Sequence, residues 1–255
     1  MKGKIASSSL LALALTLGGS VAMAQSSAQI QADVQKALSN SKYAAVHGRV
    51  ENDGTVVLNG SVDLFDLKEK IDHKVHRIKG VKAVENDIQV AGMPVPDQEL
   101  SAKLAKAIEY DRVGYGTTPF NAISVNVRDG VVTLGGHAYG PVDAGSAAAV
   151  AANTKGVKDV VNDIQVDPLS PMDDGIRIRT YRTIYSYPSL NKYAMDPGRT
   201  IRITVQNGRV TLIGVVDSQA DKDTAGIRAN TVPGVFHVDN QLQVVNDKNE
   251  KRTSL

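Results

Sequence analysis

Gly130-Val-Val-Thr-Leu-Gly-Gly136 followed by Gly156-Val-Lys-Asp-Val-Val-Asn-Asp-Ile-Gln-Val166 is written three times in this chain. The first copy reads Gly54-Thr-Val-Val-Leu-Asn-Gly60 and Gly80-Val-Lys-Ala-Val-Glu-Asn-Asp-Ile-Gln-Val90. The third reads Gly208-Arg-Val-Thr-Leu-Ile-Gly214 and Gly234-Val-Phe-His-Val-Asp-Asn-Gln-Leu-Gln-Val244. In every copy the second glycine follows the first by 6 residues and the third follows the second by 20. Fixed self-similarity of this kind means one supersecondary unit built repeatedly.

Each unit reads as α-β-β-α-β. Alternating runs such as Ile123-x-Val125-x-Val127 and Ile201-x-Ile203-x-Val205 suit half-buried strands. Asp53-Gly54, Asp129-Gly130 and Asn207-Gly208 mark tight hairpins, because such turns need positive φ. Gly60, Gly136 and Gly214 lie within or at the end of the second strand, where glycine points to a bulge or a close backbone approach. A helix follows: Leu64, Leu67, Ile71, Val75 and Ile78 form one apolar face in copy one. Its counterpart in copy two, Ala144 to Ala152, is alanine-rich and is expected to pack close to its sheet. In copy three Ser218 and Asp221 resemble a capping box. A leading helix is marked by Ile30, Val34 and Leu38, by Leu100, Leu104 and Ile108, and in copy three by Ile176, Tyr181, Ile184 and Tyr185, with Arg179 and Arg182 facing away. The predicted class is α+β: three tandem modules, each a three-stranded mixed sheet with two helices on one face. Expected boundaries are 26–91, 97–167 and 173–245, joined by the proline-rich stretches Gly92-Met-Pro-Val-Pro96 and Pro168-Leu-Ser-Pro171 and followed by a polar tail, 246–255.

The N-terminus has the order of a secretory leader. Lys2 and Lys4 precede an apolar run from Leu10 to Leu17, and Ala22-Met-Ala24 offers a small-x-small cleavage site. Cleavage after Ala24 would leave a protein that is periplasmic or secreted, with no transmembrane segment. It would also remove two of 29 basic groups, balancing the 27 acids, so a nucleic-acid partner is not expected. The absence of cysteine excludes disulfides, thiol catalysis and a cysteine-linked lipid anchor.

The α-β-β-α-β order, the D/N-G-x-V-x-L-x-G hairpin and the G-V-x-x-V-x-N-x-I/L-x-V ending together resemble the BON domain family (bacterial OsmY and nodulation). The resemblance implies export to the periplasm or envelope, a link to osmotic or envelope stress, and a phospholipid membrane surface or an envelope protein as partner. A chaperone-like or structural periplasmic role in binding protein is the alternative. The matching positions are scaffold residues, so the resemblance transfers no binding residue.

Chemistry-bearing patterns are sparse. No Gly-x-Ser-x-Gly turn and no Gly-x-x-x-x-Gly-Lys loop occurs. His73 and His76 sit three apart beside Asp72 and Lys74, off the apolar stripe, and read as a solvated face. Asp173-Asp174 reads as helix capping. No catalytic residue, cofactor or metal site is expected. The tyrosines are more telling. From the leading helix to the hairpin glycine, Leu100 to Gly130 spans 30 residues and Ile176 to Gly208 spans 32, against 24 from Ile30 to Gly54. The extra length carries Tyr115, Phe120, Tyr187 and Tyr193, which suit either a half-wet contact surface or packing within the chain. Residues 173–245 hold 9 basic and 7 acidic groups, with Arg177, Arg179, Arg182, Arg199, Arg202 and Arg209 prominent. The candidate lipid or partner contacts are therefore Tyr115, Phe120, Arg179, Arg182, Tyr187 and Tyr193.

Overall fold

A computed structural model describes residues 18–168 and 170–245 of the chain, with side chains from Ser27 onward. Residues 1–17 of the expected leader and the expected tail, 246–255, lie outside the described residues. There are two compact bodies. One holds the first copy, to Asp63 and again over Leu67–Ala91, and the other holds the second and third copies, from Gly92 onward.

The first copy comprises α1 (Gly18–Leu38), β1 (Val46–Val50), β2 (Thr55–Val62), α2 (Phe65–His76) and β3 (Ala83–Val90). β2 is central, antiparallel to β1 and parallel to β3. A parallel neighbour needs a crossover, and α2 supplies it. Ile30, Val34 and Leu38 from α1 and Ile71 and Val75 from α2 are buried against Val56, Leu58 and Ile88 of the sheet. Both helical stripes read from sequence thus reach one core.

The second copy repeats this order as α3 (Asp97–Asp111), β4 (Ala122–Arg128), β5 (Val131–Ala138), α4 (Pro141–Ala152), β6 (Asp159–Asn162) and β7 (Gln165–Val166). The third follows as α5 (Pro171–Tyr185), β8 (Arg202–Gln206), β9 (Arg209–Ile213), β10 (Val215–Val216), α6 (Gln219–Asn230), β11 (His237–Asn240) and β12 (Gln243–Val244). The central strand is again antiparallel to the strand before it and parallel to those after α4 and α6. The last strand is continuous in copy one but splits in two in the others. The asparagine of the ending motif has a structural role here. Asn86 and Asn240 donate to the Lys68 and Lys222 carbonyls of α2 and α6, at 3.3 and 2.8 Å, tying the last strand to its helix.

The hairpins are of two kinds, where the sequence reading expected one. Asp129-Gly130 joins paired residues Arg128 and Val131, and Asn207-Gly208 joins Gln206 and Arg209. All four turn residues have positive φ, at 54° and 81° and at 52° and 73°. This is the primed turn that matches strand twist. In copy one the pairing stops at Val50 and Val56, and Asp53 accepts a 2.9 Å bond from the Thr55 amide inside a longer loop.

Candidate functional site

Two buried aspartates govern the long segments between helix and first strand. Asp143 and Asp221 occupy the same place, three residues beyond the N-caps of α4 and α6. Asp143 accepts hydrogen bonds from Arg112 Nε at 3.0 Å, Thr117 Oγ1 at 2.6 Å and Asn121 Nδ2 at 3.0 Å. Asp221 accepts from Lys192 Nζ at 3.0 Å and the Tyr193 hydroxyl at 2.9 Å, while the Ser218 hydroxyl accepts from the Asp221 amide. Copy one has Leu67 at this place and a shorter segment. The extra length in copies two and three is therefore pinned to its own module.

Asp221 and its neighbour Asp217 set an acid limit for the third copy. Burial alone would raise the Asp221 carboxyl, but hydrogen bonds from Lys192, Tyr193 and Ser218 outweigh it and hold the group below the ordinary 3.8. The hydrogen bond from Lys192 does the same for Asp217. A carboxylate whose pKa is depressed by folding stabilises the fold above the unfolded value and loses that contribution as pH falls through the folded value. The melting temperature should therefore drop on acidification below about pH 4, and Asp221→Asn, although less stable at neutral pH, should show a shallower drop. Parallel slopes for variant and parent in a pH series of thermal melts would contradict this.

Copies two and three meet along a polar and aromatic seam. At its centre Asp167 has a fully buried carboxylate, reached by Arg177 Nη2 at 3.2 Å, Gln206 Nε2 at 3.1 Å and His137 Nδ1 at 3.2 Å. Arg177, only 1% exposed, also donates to the Val205 carbonyl and pairs with Asp174, and its guanidinium lies over the Tyr139 ring. Beside it the rings of Tyr139, Phe120, Tyr181 and Tyr185 run in succession, with centroids 5.6, 5.9 and 4.7 Å apart. The Tyr185 hydroxyl donates to the Ile201 carbonyl, and burial pushes its pKa up. Tyr110 donates to Asp196, and Arg202 donates to the Thr118 carbonyl at 2.7 Å.

The seam accounts for part of the sequence-predicted contact set. Phe120 lies within it. Tyr193 is fully buried in the core of the third copy and presents no surface. Tyr115 is 70% exposed with Arg112 over its ring, and Tyr187 is exposed beside Arg228. Arg177 and Arg202, read from sequence as part of a basic surface, are turned inward. Each donates to backbone carbonyls, Arg177 to that of Val205 and Arg202 to those of Thr118 and Pro197. Arg199 is paired with Asp217. Arg179, Arg182 and Arg209 remain exposed. Helical spacing puts Arg179 and Arg182 on one outward arc of α5 with Met172 and Ile178, both exposed. Arg179 also donates to the Pro233 carbonyl, three residues before Phe236, which is 78% exposed against the hairpin glycine Gly208. The sequence reading missed Phe236, although the repeat carries the signal: the same position is Lys82 in copy one and Lys158 in copy two. Among the described residues no group of three His, Asp or Glu side chains is placed to hold a metal, and His73 and His76 are exposed.

The sequence matches the BON domain family over residues 26–92, 96–168 and 189–246. The chain belongs to the BON domain family. The third match begins after α5, yet α5 contributes Ile176, Ile184 and Tyr185 to the third core as α1 and α3 do to theirs. Osmotically-inducible protein Y of Escherichia coli (strain K12) is 30% identical over 161 residues, covering 63% of this chain and 78% of that protein. Two solved structures of CdsD, a structural protein of the type III secretion system of Chlamydia trachomatis, are 14% identical. One covers 84% of this chain and 96% of its own with a TM-score of 0.24, the other 89% and 98% with 0.23, and likeness at that level carries no argument. No helix among the described residues is long and apolar enough to cross a membrane.

Proposed function

We propose that this BON protein is an exported, non-catalytic envelope protein with a role in osmotic stress, and that it binds an anionic phospholipid surface through the outer face of its third copy. In this reading residues 1–24 are a leader cleaved after Ala24, and the modules span 26–91, 97–167 and 173–245. The kinship with an osmotically inducible protein supports the stress role. The membrane reading rests on one observation: the outward arc of α5 pairs the exposed apolar side chains Met172 and Ile178 with the cations Arg179 and Arg182, beside the exposed Phe236 ring. Guanidinium groups suit phosphate geometry, and apolar side chains between them suit the interface below the headgroups.

Residues 25–255 should co-sediment with phosphatidylglycerol vesicles at low salt and less at high salt, and weakly with phosphatidylcholine vesicles. Arg179→Glu with Arg182→Glu should weaken binding by about tenfold or more, because each basic group near an anionic surface contributes on the order of 1 kcal/mol. No sedimentation at either salt concentration would refute the membrane reading. The exposed Tyr115 and Tyr187 support a second reading, capture of an envelope protein, which predicts that Tyr115→Ser with Tyr187→Ser abolishes capture and leaves vesicle binding intact.

A further inference from the structure

The second copy is open where the third is closed. In β8 Ile203 and Val205, and Ile201 just before it, are fully buried, but their counterparts Ile123, Val125 and Val127 in β4 are only partly covered. The difference lies on the leading helix: α3 presents Ala105 to this space where α5 has Tyr181, packed against the third core, whereas Ala147 of α4 is matched by Ala225 of α6. A cleft of about 270 Å³ results, floored by Ala105 and Ala147 with Ile108, Ile123 and Val125, and closed from the third copy by Ile213 and Val215.

The polar groups lining the cleft are unequally engaged. Arg112 is paired with Asp143, and Asp111 accepts from the Ser146 hydroxyl. Arg202 donates to the Thr118 and Pro197 carbonyls. Glu109 has no hydrogen-bond donor and forms no ion pair among the described residues; burial raises its pKa against the pull of Arg202. The lining holds three carboxylates, Glu109, Asp111 and Asp143, and two guanidiniums, Arg112 and Arg202, so its formal charge is −1. Thr118 in the cleft wall is 8% exposed, and its hydroxyl has no partner. That oxygen is sealed from the cleft, so the cleft's recognition falls to Glu109 and the apolar floor.

We infer that this cleft is a binding site for a small organic cation, an ammonium carried on an apolar body, with Glu109 accepting the ammonium N–H and the alanine-lined floor covering the body. The excess carboxylate selects the charge, since an anion would face Glu109 with the nearer guanidinium donors already turned to carbonyl oxygens. Nothing in the membrane reading requires this site, which lies among residues of α3, β4 and β9 rather than on the outer arc of α5.

The probe is hexylammonium, titrated into the full chain by calorimetry, with hexanoate and hexanol as matched anion and neutral. Saturable binding of hexylammonium alone is expected. Glu109→Gln keeps shape and removes charge, and should weaken binding by about tenfold or more, as expected for a hydrogen bond to a charged group. Ala147→Leu should fill the floor and abolish binding with the tyrosine near-ultraviolet signal of the folded chain retained. Arg179→Glu with Arg182→Glu should leave it unchanged. Absence of binding by the parent, equal binding by Glu109→Gln, or tighter binding of hexanoate would each overturn the site.

Discussion

Arg177→Met is expected to cost the second body about 3–5 kcal/mol, the usual consequence of removing one partner from a buried ion pair. Its side chain is 1% exposed, and the Asp167 carboxylate that it neutralises is fully buried. Methionine fills the volume but leaves Asp167 with Gln206 and His137 as its remaining neighbours. The measurement is equilibrium denaturation followed by tyrosine near-ultraviolet dichroism. The chain has no tryptophan, and of its eight tyrosines all but Tyr43 lie beyond residue 92, so the signal reports on the second body. Asp167→Asn added to Arg177→Met should recover much of the loss, because the stranded charge is gone and the two sites are coupled. A loss below about 1 kcal/mol would mean that water reaches the pair and that the seam does not depend on it.

Arg177 also marks the limit of what the sequence discloses. Apolar spacing correctly assigned Ile176 and Ile184 to the core and Arg179 and Arg182 to the exterior, since helical periodicity needs only the element itself. Arg177 stands next to that stripe, and its fate depends on Asp167 at the end of the second copy and the Val205 carbonyl from β8. No local pattern encodes partners brought together from three separate segments. The differences between copies carry further information. The position of Leu67, Asp143 and Asp221 turns acidic only in the two copies with a long segment before the first strand, which is the trace of the hydrogen bonds that hold that segment. Lys82, Lys158 and Phe236 likewise single out one copy for an exposed ring. Departures between aligned copies, more than the shared glycines, carry the information about function.

The three copies share a scaffold but have distributed their differences unequally. The third closes its core completely and places cations with exposed apolar groups on α5. The second has Ala105 where the third has Tyr181, and leaves a cleft. The alanine-rich helix, expected to pack close to its sheet, buries Ala144, Ala147, Ala151 and Ala152.

The shared glycines themselves should divide by geometry. At Gly136 φ is +83°, and a Cβ would stand 2.1 Å from the Ala122 carbonyl oxygen on the paired strand. A contact that short cannot be relieved by a side-chain rotation, because the obstacle is backbone. Gly136→Ala must push β4 off its register at Ile123 or abandon the bulge, and a loss of about 3–5 kcal/mol is expected, combining strain at positive φ with disrupted pairing. Gly214 holds the same place in copy three, but there the Cβ would meet the Thr200 oxygen at 3.1 Å, which a shift of a few tenths of an ångström relieves, so the conformational cost at φ +142° dominates, about 1–3 kcal/mol. Gly145→Ala should have the opposite sign. It lies exposed inside α4 with open space around its Cβ, and alanine there should stabilise by about 0.5–1 kcal/mol. The ordering Gly136 worst, Gly214 intermediate and Gly145 improved is read from the denaturation midpoints of three single variants. Equal losses at Gly136 and Gly214 would show that the close approach of β4 to β5 is not what requires glycine six residues after the hairpin glycine.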